Sequence, residues 1–109
     1  MAGDYLGEFE HLVLLALLRL DERAYGVTVR QEIAQRTGRD VSIGAIYATL
    51  DRLETKGFAK SQIGEPTAER GGRAKRYFRV TARGIAVVNR THDALKSMTE
   101  GLALKGSLA

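Results

Sequence analysis

The 109-residue sequence predicts a mostly α-helical fold with one small β-hairpin. Three observations carry this prediction. Helical apolar patterns fill the stretch before Gly57, and two short β-prone runs with a Gly-containing connection follow it. A last apolar pattern, with alternating steps of three and four residues, begins after Thr81. We therefore predict one domain over residues 1–81 and a C-terminal dimerisation helix and tail over residues 82–109.

Composition excludes several classes of protein. The chain has no cysteine, which excludes disulfides and cysteine-ligated metal centres. Its longest strongly apolar run, residues 12–18, is too short to cross a bilayer, and Asp4, Glu8 and Glu10 stand where a signal peptide would be basic. The net charge of +4 is a mild bias toward polyanionic partners. We expect a folded cytoplasmic protein without cofactors.

Two helices are predicted in the first 38 residues. The first, Glu8 to Leu20, is apolar almost all round, a pattern typical of a helix covered on more than one side. After a polar break at residues 21–23, the second opens at Tyr25-Gly26 and ends near Gly38, which suits a left-handed C-terminal cap. A single domain of this size leaves part of the first helix for another chain to cover.

The third predicted helix has the strongest helical periodicity. Ser42 suits its N-cap, Gly57 stops it, and its inward positions are Ile43, Ile46, Leu50 and Leu53. The opposite face begins small and becomes charged: Gly44, Ala45, Ala48, Asp51, Arg52 and Thr55.

This opposite face is a candidate for DNA contact. Small residues let a helix lie deep in a major groove, where Arg52 can reach a guanine edge or a phosphate. Tyr47 and Thr49 flank the face and can donate to phosphates. The predicted contact set is Ser42, Gly44, Ala45, Tyr47, Ala48, Thr49 and Arg52. The alternative is that the small residues permit close packing against another helix.

A basic hairpin follows the third helix. Its strands are expected at residues 58–63 and 73–80, and its cations are Arg70, Arg73, Lys75 and Arg76. Such a hairpin can follow the DNA backbone or enter the minor groove and release counterions. The alternative is a solvated run of charge, but a basic hairpin placed directly after a capped helix favours nucleic-acid binding.

The last predicted helix runs from Ala82 to about Leu104, and Thr81 suits its N-cap. Its apolar seam requires a partner helix and consists of Ile85, Val88, His92, Leu95, Thr99 and Leu102. A buried, paired His92 would make dimerisation pH-sensitive, whereas an exposed one would have no role. His11 and His92 lack neighbouring ligands at suitable spacing, so we predict neither a metal site nor catalytic chemistry.

Three separated motifs resemble the PadR family of regulators. They are the turn Ala24-Tyr25-Gly26-Val27, the run from Gly44 to Glu54 with the pattern Gly-x-x-Tyr-x-x-Leu-x-Arg-Leu-Glu, and the basic-aromatic segment from Gly72 to Thr81 with Gly84 after it. The segment from Leu6 to Glu10 matches as well, so the resemblance covers nearly the whole chain. The sequence departs from it at Ala48 and Ala74, where many members carry proline.

The resemblance implies a winged helix-turn-helix DNA-binding domain over residues 1–81. It also implies that Tyr47 and the basic residues of the hairpin touch double-stranded DNA, and that the chain is a repressor released by a small molecule or stress. The C-terminal helix of the family dimerises with the N-terminal helix. The corresponding homodimer residues here are Phe9, Leu12, Leu15, Ile85, Val88, His92, Leu95 and Leu102.

Two further hypotheses concern the partner. The same fold can be a protein-interaction module, in which the small-faced helix and the basic arm meet an acidic protein. The dimer interface can also bind a flat hydrophobic effector. The absence of tryptophan and the scarcity of aromatic residues argue against a stacking pocket.

Overall fold

The computed structural model describes residues 4–64 and 74–104. These residues fold as four α-helices and one two-stranded antiparallel hairpin, with a single 3-10 turn after the first helix. In chain order the elements are α1 (Glu8–Leu20), the turn Asp21–Arg23, α2 (Gly26–Thr37), α3 (Ile43–Thr55), β1 (Ala59–Ile63), β2 (Arg76–Val80) and α4 (Ala82–Thr99). The fold class predicted from the sequence is confirmed.

The helix ends follow the chemistry of the capping residues. The Ser42 hydroxyl accepts a hydrogen bond from the backbone N–H of Ala45 at 3.1 Å, and the Thr81 hydroxyl accepts one from Gly84 at 3.0 Å. Gly38 ends α2 with φ of 75°, in the left-handed region where glycine carries no steric cost. These caps fix where α2, α3 and α4 begin or end.

A single apolar core joins the four α-helices and the hairpin. Its fully buried side chains come from α1, α2, α3, the hairpin and α4, and include Val13, Leu14, Leu17, Val29, Ile46, Leu50, Leu53, Phe78 and Val87. The inward face predicted for α3 is confirmed at Ile46, Leu50 and Leu53, whereas Ile43 is only half-buried. Since α3 rests on both α1 and α2, its opposite face is held outward.

The edge of β2 anchors the hairpin to the connection between α1 and α2. In its register Ala59 pairs with Val80 and Ile63 with Arg76. The backbone N–H of Phe78 donates to the carbonyl of Ala24 at 2.9 Å, which ties β2 to the connection between α1 and α2. Both strands begin later than predicted among the described residues: β1 begins at Ala59, one residue after Phe58, and β2 begins at Arg76. The predicted first residue of the second strand, Arg73, lies outside the described residues.

Two glycines decide how α4 starts and stops. A Cβ on Gly84 would collide with the carbonyl oxygen of Phe58 and lie 2.6 Å from Val80 Cγ1, so only glycine lets α4 pack this closely on the hairpin. Gly101 has φ of 82°, and α4 ends at Thr99. The predicted helix end near Leu104 is therefore wrong, because the backbone leaves the helix at Glu100, with ψ of 137°, and Gly101 takes up a left-handed φ that favours glycine.

No helix within residues 4–64 and 74–104 is both long enough and apolar enough to cross a membrane.

Candidate nucleic-acid interface

The outward face of α3 is exposed over its whole length. Ser42, Gly44, Ala45 and Ala48 are exposed in the first half of the helix, and Arg52 is exposed in the second. No side chain on the first two turns of this face extends beyond Cβ or a hydroxyl, so another molecule can approach the helix backbone closely. The face thus combines a slim N-terminal half with a long cationic side chain one turn further on.

Tyr47 lies between α3 and α2. It is half-buried and packs against the core, and a Cβ on Gly26 would overlap its ring. The Tyr-Gly motif that opens α2 and the Gly-x-x-Tyr motif of α3 therefore meet in space, 21 residues apart in the sequence. This contact gives Tyr47 a packing role that the sequence alone did not suggest.

Thr49 does not lie where the sequence analysis placed it. It is 2% exposed, and its hydroxyl accepts a hydrogen bond from Arg52 Nη2 at 3.3 Å. The expectation that it flanks the exposed face is wrong, since a residue three after Ile46 and four before Leu53 shares their inward face. Thr49 supports Arg52 rather than facing solvent.

A buried carboxylate on α1 binds two cations of α3. Glu10 is 9% exposed, and its Oε2 accepts hydrogen bonds from Arg52 Nε at 3.2 Å and from Lys56 Nζ at 3.1 Å. Its Oε1 accepts the backbone N–H of Gly7 at 3.4 Å. Burial by itself raises the pKa of Glu10, but the hydrogen bonds from Lys56 and Arg52 outweigh it and hold the pKa below its usual value.

Sequence reasoning missed this role of Glu10. The available signal was an acidic residue one turn into a helix whose following positions are almost all apolar. Because Arg52 lies 42 residues further along the chain, the sequence pattern does not identify it as the partner of Glu10.

Arg76 fastens the hairpin to α3. Its Nη1 lies 3.0 Å from Asp51 Oδ1 and its Nη2 lies 2.5 Å from Glu54 Oε1, while its guanidinium sits 4.7 Å from the centre of the Phe78 ring. Hydrogen bonds from Ser61, together with the charge of Arg76, hold the pKa of Glu54 below its usual value. The predicted wing cation Arg76 is therefore paired with two carboxylates of α3 in this structure.

Lys75 is the other described member of the predicted wing cations. It is half-buried, and its Nζ lies 5.4 Å from the centre of the Tyr25 ring. Tyr25 in turn meets the Tyr77 ring edge-on at 5.5 Å. Arg70 and Arg73 lie outside the described residues.

Comparison with known proteins places this arrangement in a family. The model of the transcriptional regulator PadR-like family matches residues 14–90, well over half of the chain. The chain belongs to the PadR-like family. This is a family of transcriptional regulators rather than of enzymes, so the resemblance predicted from the three motifs is confirmed.

Curated and solved relatives agree with this assignment. The PadR-like chain is 35% identical over 78 residues to the transcriptional regulator Rv3488 of Mycobacterium tuberculosis, covering 72% of this chain and 68% of that one. It superimposes on a PadR family transcription regulator from hypervirulent Clostridium difficile R20291 with a TM-score of 0.72 and 20% identity, covering 86% and 93% of the two chains.

One similar solved structure is not described as a PadR protein. F93 from STIV, described as a winged-helix DNA-binding protein, superimposes with a TM-score of 0.68 and 19% identity, covering 90% of this chain and 98% of F93. At such identity the likeness shows the fold alone, which is a winged helix. In that fold α2 and α3 form the helix-turn-helix, and the β1–β2 hairpin is the wing.

The predicted dimer residues of the PadR-like chain fall into two groups. Three that lie within α1 or α4 are exposed apolar side chains: Leu15 at 38%, Ile85 at 46% and Leu95 at 58%. Phe9 and Leu12 are half-buried, and His92 is exposed. Leu18 and Met98 are also exposed but were not among the predicted residues. Together they give α1 and α4 uncovered apolar surface.

Two members of the predicted seam do not lie on the exposed face of α4. Val88 is 7% exposed because this side of α4 packs on the core of its own chain, so the expectation that it faces a partner is wrong. Leu102 is exposed but follows the end of α4, so it does not continue the helical seam. From His92 onward every described residue is exposed, so the second half of α4 has no cover from its own chain.

His11 of α1 and His92 of α4 are far apart in the sequence but lie close enough in the structure for their charges to interact. His11 Nε2 is buried without a hydrogen-bond partner among the described residues. Burial, and then the charge of nearby His92, lower the pKa of His11 below its ordinary 6.5. Within the described part of the chain, no group of three or more potential ligands gathers at a metal-binding distance.

Proposed function

We propose that this PadR-like chain is a sequence-specific DNA-binding regulator that acts as a homodimer. Helix α3 enters the major groove through Ser42, Gly44, Ala45 and Ala48, and the wing tracks the flanking backbone or minor groove. The observation that carries the proposal is the slim, exposed face of α3 beside a basic hairpin. F93, which shares the fold, is described as a DNA-binding protein.

Each side chain has a distinct role in this proposal. The small residues of α3 let the helix backbone approach the base edges, where an alanine methyl can contact a thymine methyl. Arg52, one turn further, reads a guanine edge or binds a phosphate. Lys75, together with Arg70 and Arg73, neutralises phosphates and carries the salt dependence. The hydroxyl of Tyr47 donates to a phosphate at the edge of the face.

A homodimer accounts for the uncovered apolar surface of α1 and α4. Leu15 of α1 and Ile85 and Leu95 of α4 are exposed apolar side chains, and apolar surface of this kind favours a protein–protein contact. A two-fold dimer presents two α3 helices, which fit an inverted repeat with half-sites about 34 Å apart. Bound over a promoter, such a dimer acts as a cytoplasmic repressor, and a small-molecule effector releases it.

Fluorescence anisotropy tests DNA binding. The probes are a labelled duplex from the chain's own upstream region and a scrambled duplex of equal composition, each measured across a salt series. We expect salt-steep binding with preference for the upstream duplex. Arg52→Ala should relax that preference, whereas Lys75→Ala should weaken both duplexes alike and flatten the salt slope. Lys96→Ala, on exposed α4, is the charge-matched control and should change neither.

Weak binding that is equal for both duplexes at low salt would contradict the proposal and favour the protein-interaction module. Sedimentation equilibrium tests the dimer, which should persist at the concentrations used for binding. A monomer in both the free and the DNA-bound state would contradict the two-fold arrangement.

A further inference from the structure

Glu10 is the one charged side chain that is buried among the described residues. It lies on α1, and both of its cationic partners, Arg52 and Lys56, lie at the C-terminal end of α3. A buried carboxylate is unfavourable unless it is paired and hydrogen-bonded, and here three donors satisfy it. Its position therefore fixes a relation between α1 and the outward side chains of α3.

The hydrogen bonds on Arg52 use one edge of its guanidinium. Nε donates to Glu10 and Nη2 donates to the Thr49 hydroxyl, and these two nitrogens form the side edge of the group. The end edge, formed by Nη1 and the second hydrogen of Nη2, still has donors for a bidentate acceptor. The Arg52 side chain remains 52% exposed. Guanine O6 and N7, or two phosphate oxygens, match that edge.

We propose that Glu10 is a positioning residue for DNA reading, which rests on the proposed function above. It holds the Arg52 guanidinium in one orientation before DNA arrives, so less side-chain freedom is lost on binding. It also offsets the charges of Arg52 and Lys56, which limits their attraction to phosphates of any sequence. Glu10 thus raises the preference for the correct duplex without itself touching DNA.

The experiment compares Glu10→Gln with Glu8→Gln. Glu8 lies on the same helix, is exposed, and pairs with Arg39 at 2.8 Å, so its substitution makes the same change in net charge away from α3. The probes are a duplex enriched from a random-sequence library by the wild-type protein and a scrambled duplex. For Glu10→Gln we expect about a tenfold loss of preference, the size of one good base contact, with unchanged or tighter binding of the scrambled duplex. Glu8→Gln should keep the wild-type preference.

Glu10→Asp separates orientation from charge. The shorter side chain keeps the negative charge but does not span the distance to Arg52 Nε. We expect it to lose preference as Glu10→Gln does, while its salt slope stays at the wild-type value. This variant also stands in if Glu10→Gln does not fold.

The decisive test is whether the effect of Glu10→Gln on sequence preference requires Arg52. In an Arg52→Ala background, Glu10→Gln should cause no further loss of preference, because the group it orients is gone. The inference is overturned if Glu10→Gln costs the same preference in that background, or if it weakens both duplexes equally while the dimer remains intact. A wild-type protein that enriches no sequence at all would overturn the proposed function and this inference with it.

Discussion

Replacement of Arg76 by methionine separates a structural cation from a DNA contact. Methionine keeps an unbranched apolar stem over Phe78 but removes the charge that bridges Asp51 and Glu54. Two carboxylates then lie close together on α3 without a neutralising partner. The hairpin keeps the hydrogen bonds from Ser61 to Glu54 but loses the ion pairs of Arg76 with α3, so the variant should be less stable.

The expected loss of stability follows from how exposed Arg76, Asp51 and Glu54 are. Arg76 and Glu54 are about one-third exposed and Asp51 is more exposed, so each ion pair should contribute about 0.5–1 kcal/mol. The cation–π contact with Phe78 adds about 0.5–1 kcal/mol. We expect the variant to lose about 2 kcal/mol in all, which lowers the urea midpoint by roughly 1 M.

Urea unfolding followed by circular dichroism measures this loss, at one fixed protomer concentration because dimer stability depends on concentration. Arg79→Met is the matched control: it lies on the same strand, and its pair with Asp21 is long, at 3.5 Å, and exposed on both sides. It should cost less than about 0.5 kcal/mol. The reasoning is refuted if Arg76→Met retains full stability and instead flattens the salt dependence of DNA binding.

Three further predictions concern packing, pH and assembly. Gly26→Ala should cost about 1–3 kcal/mol in urea unfolding because its Cβ overlaps the Tyr47 ring, whereas Gly44→Ala, with nothing within 4 Å, should cost nothing; equal losses would contradict this packing. The depressed pKa of His11 means that the unfolded chain binds the extra proton first, so stability should fall as pH drops below about 6.5; melting curves should show His11→Leu flattening this fall, and an unchanged pH dependence would exclude His11 as its source. Leu95→Glu, at a 58% exposed position, should yield a folded monomer in sedimentation experiments, and an intact dimer would remove Leu95 from the interface.

Local chemistry made most of the fold predictable. Ser42 and Thr81 cap α3 and α4 as expected, and Gly38 ends α2, because each acts through a backbone group within a few residues. The apolar period of α3 correctly gave its inward face. The end of α4 was placed too late because the apolar seam continues in sequence past Gly101, where the backbone has already left the helix.

The site was less predictable because its pairs are long-range. Glu10 and Arg52 are 42 residues apart, and Arg76 of β2 pairs with Asp51 and Glu54 of α3, which precede it by 25 and 22 residues. Charge composition alone does not distinguish a cation held by carboxylates from one available to phosphate. Thr49 is polar but buried, because its position between the inward residues Ile46 and Leu53 of α3 decides its burial more than its polarity does.

Selection from a random-sequence duplex library by the wild-type protein tests the central claim most directly. The account predicts enrichment of an inverted repeat whose half-sites lie about one helical turn apart, one for each α3 helix of the dimer. A library that emerges without any enriched sequence would contradict it.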